Sequence, residues 1–128
     1  MSYSFDNSIP IYLQIMNIIQ LEIISKKLLP GQKLSSIREY SEKFNVNPNT
    51  VQKALLNLEN NGLIYTERTN GKFITKDIKI IDSIRKKIAK EKIDKFLDDM
   101  TKIGYDFNKI KNLINKEEES LNGTFKWK

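Results

Sequence analysis

The chain has 128 residues, 39% hydrophobic and 30% charged, a balance that suits one compact domain, or a small domain with an appendage, and excludes a disordered chain. It contains no cysteine and no histidine, which removes disulfides, thiol catalysis, zinc-finger ligands and a serine–histidine triad, and no acidic cluster follows an EF-hand pattern. Lysine and arginine exceed acids by 22 to 16, giving +6, but residues 1–76 and 77–128 share that excess equally, so bulk charge locates no binding surface.

Pro10 stands where a first helical position is expected, and Ile11, Ile15, Ile18, Ile19 and Ile23 follow at helical spacing, predicting a first helix to about Lys27. Its apolar run "IIQLEII" is interrupted by Gln20 and Glu22 and falls far short of the ~20 residues of a membrane span. With no signal-peptide layout at the start, the expected location is cytoplasmic. Pro30–Gly31 marks a turn.

Ser36 and Glu39 have capping-box spacing, and Ile37, Tyr40, Ser41 and Phe44 share one face of a short helix ending near Asn45. Asn47 and Pro48 then suit the cap and first turn of another helix, in which Val51, Ala54, Leu55 and Leu58 are inward-facing. Gly62 can take the left-handed position that ends it. Two helices joined by so tight a turn are a helix-turn-helix candidate. "LIYTER" and "KFITK", separated by Thr69-Asn70-Gly71, predict a β-hairpin tipped by Arg68, Lys72 and Lys76. The expected fold is mainly α with a small β-hairpin: a winged helix-turn-helix over residues 1–76.

From Ile78 a long helix is predicted, with an apolar stripe of Ile81, Ile84, Ile88, Ile93, Phe96, Leu97, Met100 and Ile103. Gly104 stops it, and Asp106 can cap a second helix carrying Phe107, Ile110, Leu113 and Ile114. A helical hairpin this short cannot enclose both stripes, so residues 77–128 read as a dimerisation and effector region forming an isologous bundle. The basic run "RKKIAKEKIDK" alternates with acids around that stripe and reads as a solvated helix face. The Ser120–Lys128 tail is left unassigned.

The second helix of the pair presents Asn49, Thr50, Gln52 and Lys53 on the side its apolar residues leave free. Amides and hydroxyls that both donate and accept are what base edges in a major groove require. Asn47 is weighted to capping over base reading. Arg38 can hold a phosphate or a guanine, and an ion pair with Glu42 at i+4 is compatible with either. Ser36 can cap and also donate to phosphate. At the wing, Arg68, Asn70, Gly71 and Lys72 would approach phosphates or the minor groove, whereas Tyr65 and Phe73 read as packing residues.

"PIYLQI", "LLPGQKLSSIREYSEKFNVNPNTVQKALLNLENNGLIYTER" and "NGKF" resemble the GntR family of bacterial transcription factors, specifically its short YtrA-like subgroup, over Pro10–Ile74. The resemblance implies a dimeric repressor or activator that binds a palindromic operator in double-stranded DNA; with no cysteine or histidine in the chain, no cofactor or metal is expected. It matches Arg38 to an arginine that contacts DNA, Asn49, Thr50 and Gln52 to recognition-helix positions, and Gly71 to the wing glycine. Ser35, Pro48 and Thr69 depart from the family pattern, Ser35 and Thr69 replacing a proline and a wing glycine. Any small-molecule effector, whose existence and identity the sequence leaves open, would act through the C-terminal helices. The rival reading is a winged-helix protein-interaction module that does not read DNA, for which the polar face of residues 49–53 is ill suited. An enzyme finds neither a nucleophile–base pair nor a phosphate-binding glycine loop.

Overall fold

The computed structural model describes residues 3–121. Along them run α1 (Ile11–Ile24), α2 (Ile37–Phe44), α3 (Pro48–Asn60), β1 (Ile64–Glu67), β2 (Gly71–Ile74), α4 (Ile78–Lys102) and α5 (Phe107–Leu121). The mainly helical chain with one antiparallel hairpin is the expected fold class.

In α1, Ile15, Ile19 and Ile23 are buried, as their spacing predicts. Both ends differ from expectation. Pro10 is the cap rather than the first helical residue and brings no side-chain cap bond. Gln14 instead ties down the preceding segment: its amide nitrogen donates to the Asp6 and Ile9 carbonyls at 2.7 and 2.9 Å. Its amide oxygen accepts from the Asp6 N–H at 2.9 Å. The helix stops at Ile24, short of Lys27, because Lys26 adopts φ 67 and the Leu28 N–H turns back to the Glu22 carbonyl.

The capping box of α2 is complete, with the Glu39 N–H bonded to Ser36 Oγ and the Ser36 N–H to Glu39 Oε1. Asn45 closes α2 in the left-handed conformation at φ 54. Such a conformation costs a side-chain-bearing residue energy, and asparagine is among those that bear it best. Two residues later Asn47 caps α3, accepting from the Asn49 N–H at 2.8 Å, with Pro48 opening the helix. At the other end Leu63 donates to the Leu58 carbonyl and Gly62 to Glu59, a Schellman closure with Gly62 at φ 85.

α1 and α2 both pack on α3, and α3 also meets β1. Their core includes Ile15, Ile19 and Ile23, with Tyr40 and Phe44 from α2 and Val51, Ala54, Leu55 and Leu58 from α3. Leu34, Leu63, Ile64, Ile74 and Ile81 complete it. Before α1, Tyr3 and Phe5 lay their rings against Phe44, the Tyr3 and Phe44 centroids 4.7 Å apart.

The hairpin pairs Ile64 with Ile74 and Glu67 with Gly71. Its loop is therefore Arg68-Thr69-Asn70, one residue earlier than the sequence spacing suggests, and Gly71 begins β2 at φ 108. The segment before α2 pairs with the other edge of β2. Leu34 donates to the Lys72 carbonyl, Ile74 to Gln32 and Gly31 to Ile74. This third edge was not anticipated.

The chain forms two compact units, the first ending at Lys86 and the second beginning at Lys87, with α4 running through that point. In the first, Arg85 Nε and Nη2 both donate to the Ile24 carbonyl, at 2.9 and 2.6 Å, closing the end of α1. In the second, Gly104 at φ 98 ends α4 and Asp106 caps α5 through the Lys109 N–H. Among its described side chains only Ile110 is buried, while Ile93, Phe96, Ile103, Phe107 and Ile114 are exposed. Of the unassigned tail, residues 122–128 lie outside the described residues.

Candidate nucleic-acid interface

The apolar residues of α3 fix which of its side chains face out. Because Val51, Ala54, Leu55 and Leu58 are buried, Asn49, Gln52 and Lys53 are left exposed and Thr50 half-exposed. These four form a polar surface on the first two turns of the helix. Asn47 is committed by its bond to the Asn49 N–H, so it serves the helix as a cap.

Beside this surface an open cleft of about 520 Å³ separates the start of α2 from the hairpin. Ser36 and Arg38 line one wall, and Arg68, Asn70, Gly71 and Lys72 the other, so the structure brings these six expected residues together. Lys33 joins them at the cleft and lies under Gly71, where a Cβ would come within 3.2 Å of its Cε.

The cations differ in what they already touch. Arg38 is 88% exposed and pairs with Glu42 at 3.3 Å, the i+4 contact its spacing suggested. Such a pair holds little energy in water and leaves the guanidinium available. Lys72 is more firmly engaged: its ammonium lies 3.0 Å from Glu59 Oε1 and 2.7 Å from Thr66 Oγ1. The Lys72 ammonium, and then the Thr66 hydroxyl, hold the Glu59 carboxyl below its ordinary value. Lys53 sits over the Tyr12 ring, 4.2 Å from its centroid. At the loop, Asn70 donates to Glu67 Oε2 at 3.1 Å.

The start of α2 is held from both sides. The Ser36 N–H and then its hydroxyl lower the Glu39 carboxyl. Burial, with the Glu22 charge adding to it, pushes the Tyr40 hydroxyl up to about 12, against hydrogen bonds from the backbone and side chain of Ser35. A proline at position 35 could make neither of those bonds.

A polar helix face flanked by a basic cleft and a hairpin, in this chain order, is the arrangement of a winged helix-turn-helix. The family model "Bacterial regulatory proteins, gntR family" matches residues 11–74. The chain belongs to the GntR family.

Among curated relatives, this GntR chain is 30% identical to the HTH-type transcriptional repressor YtrA of Bacillus subtilis, over 91% of each chain. Among solved structures it is similar to a GntR family transcriptional regulator from Listeria monocytogenes, with 40% identity and a TM-score of 0.82. That match covers 88% of this chain and 98% of the other. It also resembles AraR(DBD) in complex with operator ORX1, at 28% identity and a TM-score of 0.55, over 59% and 95% of the two chains. The chain is thus a YtrA-like GntR transcriptional regulator.

Of the residues expected at a dimer surface, Phe96, Ile103 and Ile114 are exposed, and Ile84, Ile88, Leu97, Met100 and Leu113 half-buried. Ile81 and Ile110 are enclosed within the chain itself, as packing residues of their own units. The basic run of α4 carries intrahelical pairs, Lys90–Asp94 and Lys95–Asp99, as a solvated face does. The sequence alone does not point to Tyr12, Lys33, Glu59 or Thr66 at the candidate interface. Glu59 was legible only as a polar residue near the end of α3, and nothing in local spacing joins it to Lys72.

Proposed function

We propose that this GntR regulator is a repressor that binds an inverted-repeat operator as a homodimer. Residues 1–76 read DNA and residues 77–128 join the two chains. The exposed polar face of α3 carries the reading, since side chains there are anchored from behind by four buried residues and offer donors and acceptors outward. The AraR domain, which resembles this one, has its structure determined with operator DNA.

In this reading α3 enters a major groove, with Asn49, Thr50 and Gln52 at base edges. Arg38, Lys53 and the wing residues Arg68 and Asn70 hold the backbone. Lys72 contributes by fixing the wing more than by meeting a phosphate. The exposed Ile93, Phe96, Ile103, Phe107 and Ile114 support dimerisation, because large apolar side chains left in water favour a partner surface. Two-fold pairing places half-sites about one helical turn apart, ~10 base pairs. An effector would act by changing that separation through the C-terminal helices. Such a regulator works in the cytoplasm, where the chromosome is.

Footprinting on a genomic fragment library tests the reading, together with sizing of the purified chain. Protection of an inverted repeat by a dimer supports it. Weak binding that is equal for all fragments overturns it and favours a protein-interaction module.

A further inference from the structure

Lys53 and Lys72 are both held in place in the free protein, by hosts of different chemistry. Lys72 faces a carboxylate, which cancels its charge where a phosphate would approach. Lys53 lies over the face of a neutral ring, 4.2 Å from the Tyr12 centroid. That contact restricts a flexible side chain yet adds no negative charge, and its outward N–H groups remain open to an acceptor. Tyr12 is half-buried in the first turn of α1, the helix packed on α3. Its ring therefore sits on a fixed support. With Ile11, Asn49 and Thr50, the pair lines a shallow recess of about 380 Å³ at the start of α3. Asn49 and Lys53 are one turn apart on the exposed face, so whatever fixes Lys53 also sets the border of that face.

We propose that Tyr12 is a positioning residue of the DNA interface. It holds the Lys53 ammonium beside the first turns of α3, prepared for a backbone phosphate with its charge intact. This inference rests on the DNA-binding reading above. A lysine stem otherwise samples many rotamers, and pre-ordering it removes part of the cost of forming the contact. Tyr12 acts through Lys53 and needs no contact of its own with DNA.

The test compares Tyr12→Phe, Tyr12→Leu, Lys53→Gln and the Tyr12→Leu/Lys53→Gln double variant as full chains, each checked for folding by circular dichroism. Affinity and its salt dependence are measured on the footprinted operator and on a random duplex. Lys53 side-chain proton shifts are read by NMR without DNA. Tyr12→Phe keeps the ring and is expected to bind like the natural chain and to keep ring-shifted Lys53 resonances. Tyr12→Leu should lose that shift and bind roughly 2- to 5-fold more weakly. Its salt slope should move towards that of Lys53→Gln, which falls by about 0.9. The double variant should bind no worse than Lys53→Gln alone. Additive losses overturn the proposal, as does a Tyr12→Leu chain that binds like the natural one. If the natural chain protects no operator, the DNA-binding reading fails and this inference falls with it, while the ring-shifted Lys53 resonances persist and identify which step failed.

Discussion

The Lys72 ammonium lies 3.0 Å from the Glu59 carboxylate and ties the wing to the end of α3. Thr66, across the hairpin from Lys72, joins the same carboxylate at 2.8 Å. The wing is held at the helix by these bonds and at its far edge by the Gly31–Leu34 segment.

Replacing Glu59 with glutamine removes the negative charge and leaves the Lys72 ammonium uncancelled. DNA affinity is expected to rise for specific and random duplexes alike, with the salt slope steeper by at most about 0.9. The pair is partly exposed, so the loss of stability near neutral pH is expected to be ~0.2–1 kcal/mol. Because the folded carboxyl titrates lower than the unfolded one, the stabilisation is complete above the unfolded value and is lost as pH falls through the folded value. Urea melts should therefore show the two chains converging in stability under acid conditions. A gap that persists there contradicts this account.

Asn47 and Asn49 are two residues apart, Asn47 capping α3 and Asn49 proposed to read a base. Asn47→Ala removes the α3 cap and is expected to cost about 0.5–2 kcal/mol in a urea melt, with base preference retained. Asn49→Ala should leave the melt nearly unchanged and relax base preference at one operator position. Competition binding against single-base operator variants separates the two.

Arg85 donates twice to the Ile24 carbonyl while Asp82 holds its other nitrogen. The last carbonyls of a helix lack partners within it, and hydrogen bonds from charged donors to such groups are among the stronger ones. Arg85→Ala is expected to cost about 1–2 kcal/mol, less than a fully buried charged donor would, because the side chain is 37% exposed. Hydrogen exchange should report faster opening at the end of α1, and Arg85→Lys should recover part of the loss.

Tyr40 supplies a test at alkaline pH. Its folded hydroxyl titrates at about 12, above the ordinary 10.0, chiefly because ionising it inside the core is unfavourable. Tyr40 ionisation takes nothing from stability below pH 10 and lowers it between 10 and 12, where the unfolded chain ionises first. Ultraviolet titration, compared with that of Tyr40→Phe, should show the Tyr40 hydroxyl ionising late. Tyr40→Phe should lessen the alkaline loss of stability.

Much of the fold was legible because it rests on local rules. Ile15, Ile19 and Ile23 on one helix, and Val51, Ala54, Leu55 and Leu58 on another, declare their buried faces by spacing. Ser36 with Glu39, and Asn47 with Pro48, declare the helix starts. What escaped depends on residues brought together from afar. The Gly31–Leu34 edge pairs too briefly to carry a period, and Tyr3 and Phe5 meet Phe44 from beyond α1 in the chain. The candidate site divides in the same way. The exposed face of α3 follows from its buried one, whereas the partners of Lys53 and Lys72 are 41 and 13 positions away along the chain.

Selection of binding sites from random duplexes, with the natural chain and with an Asn49→Ala/Gln52→Ala variant, tests the central claim most directly. The natural chain is expected to enrich one inverted repeat with half-sites about one turn apart, ~10 base pairs. The variant should enrich a degenerate form of it while keeping its affinity for random DNA. Enrichment of the same sharp motif by both chains, or of no motif by either, would contradict the assignment of sequence reading to the exposed face of α3.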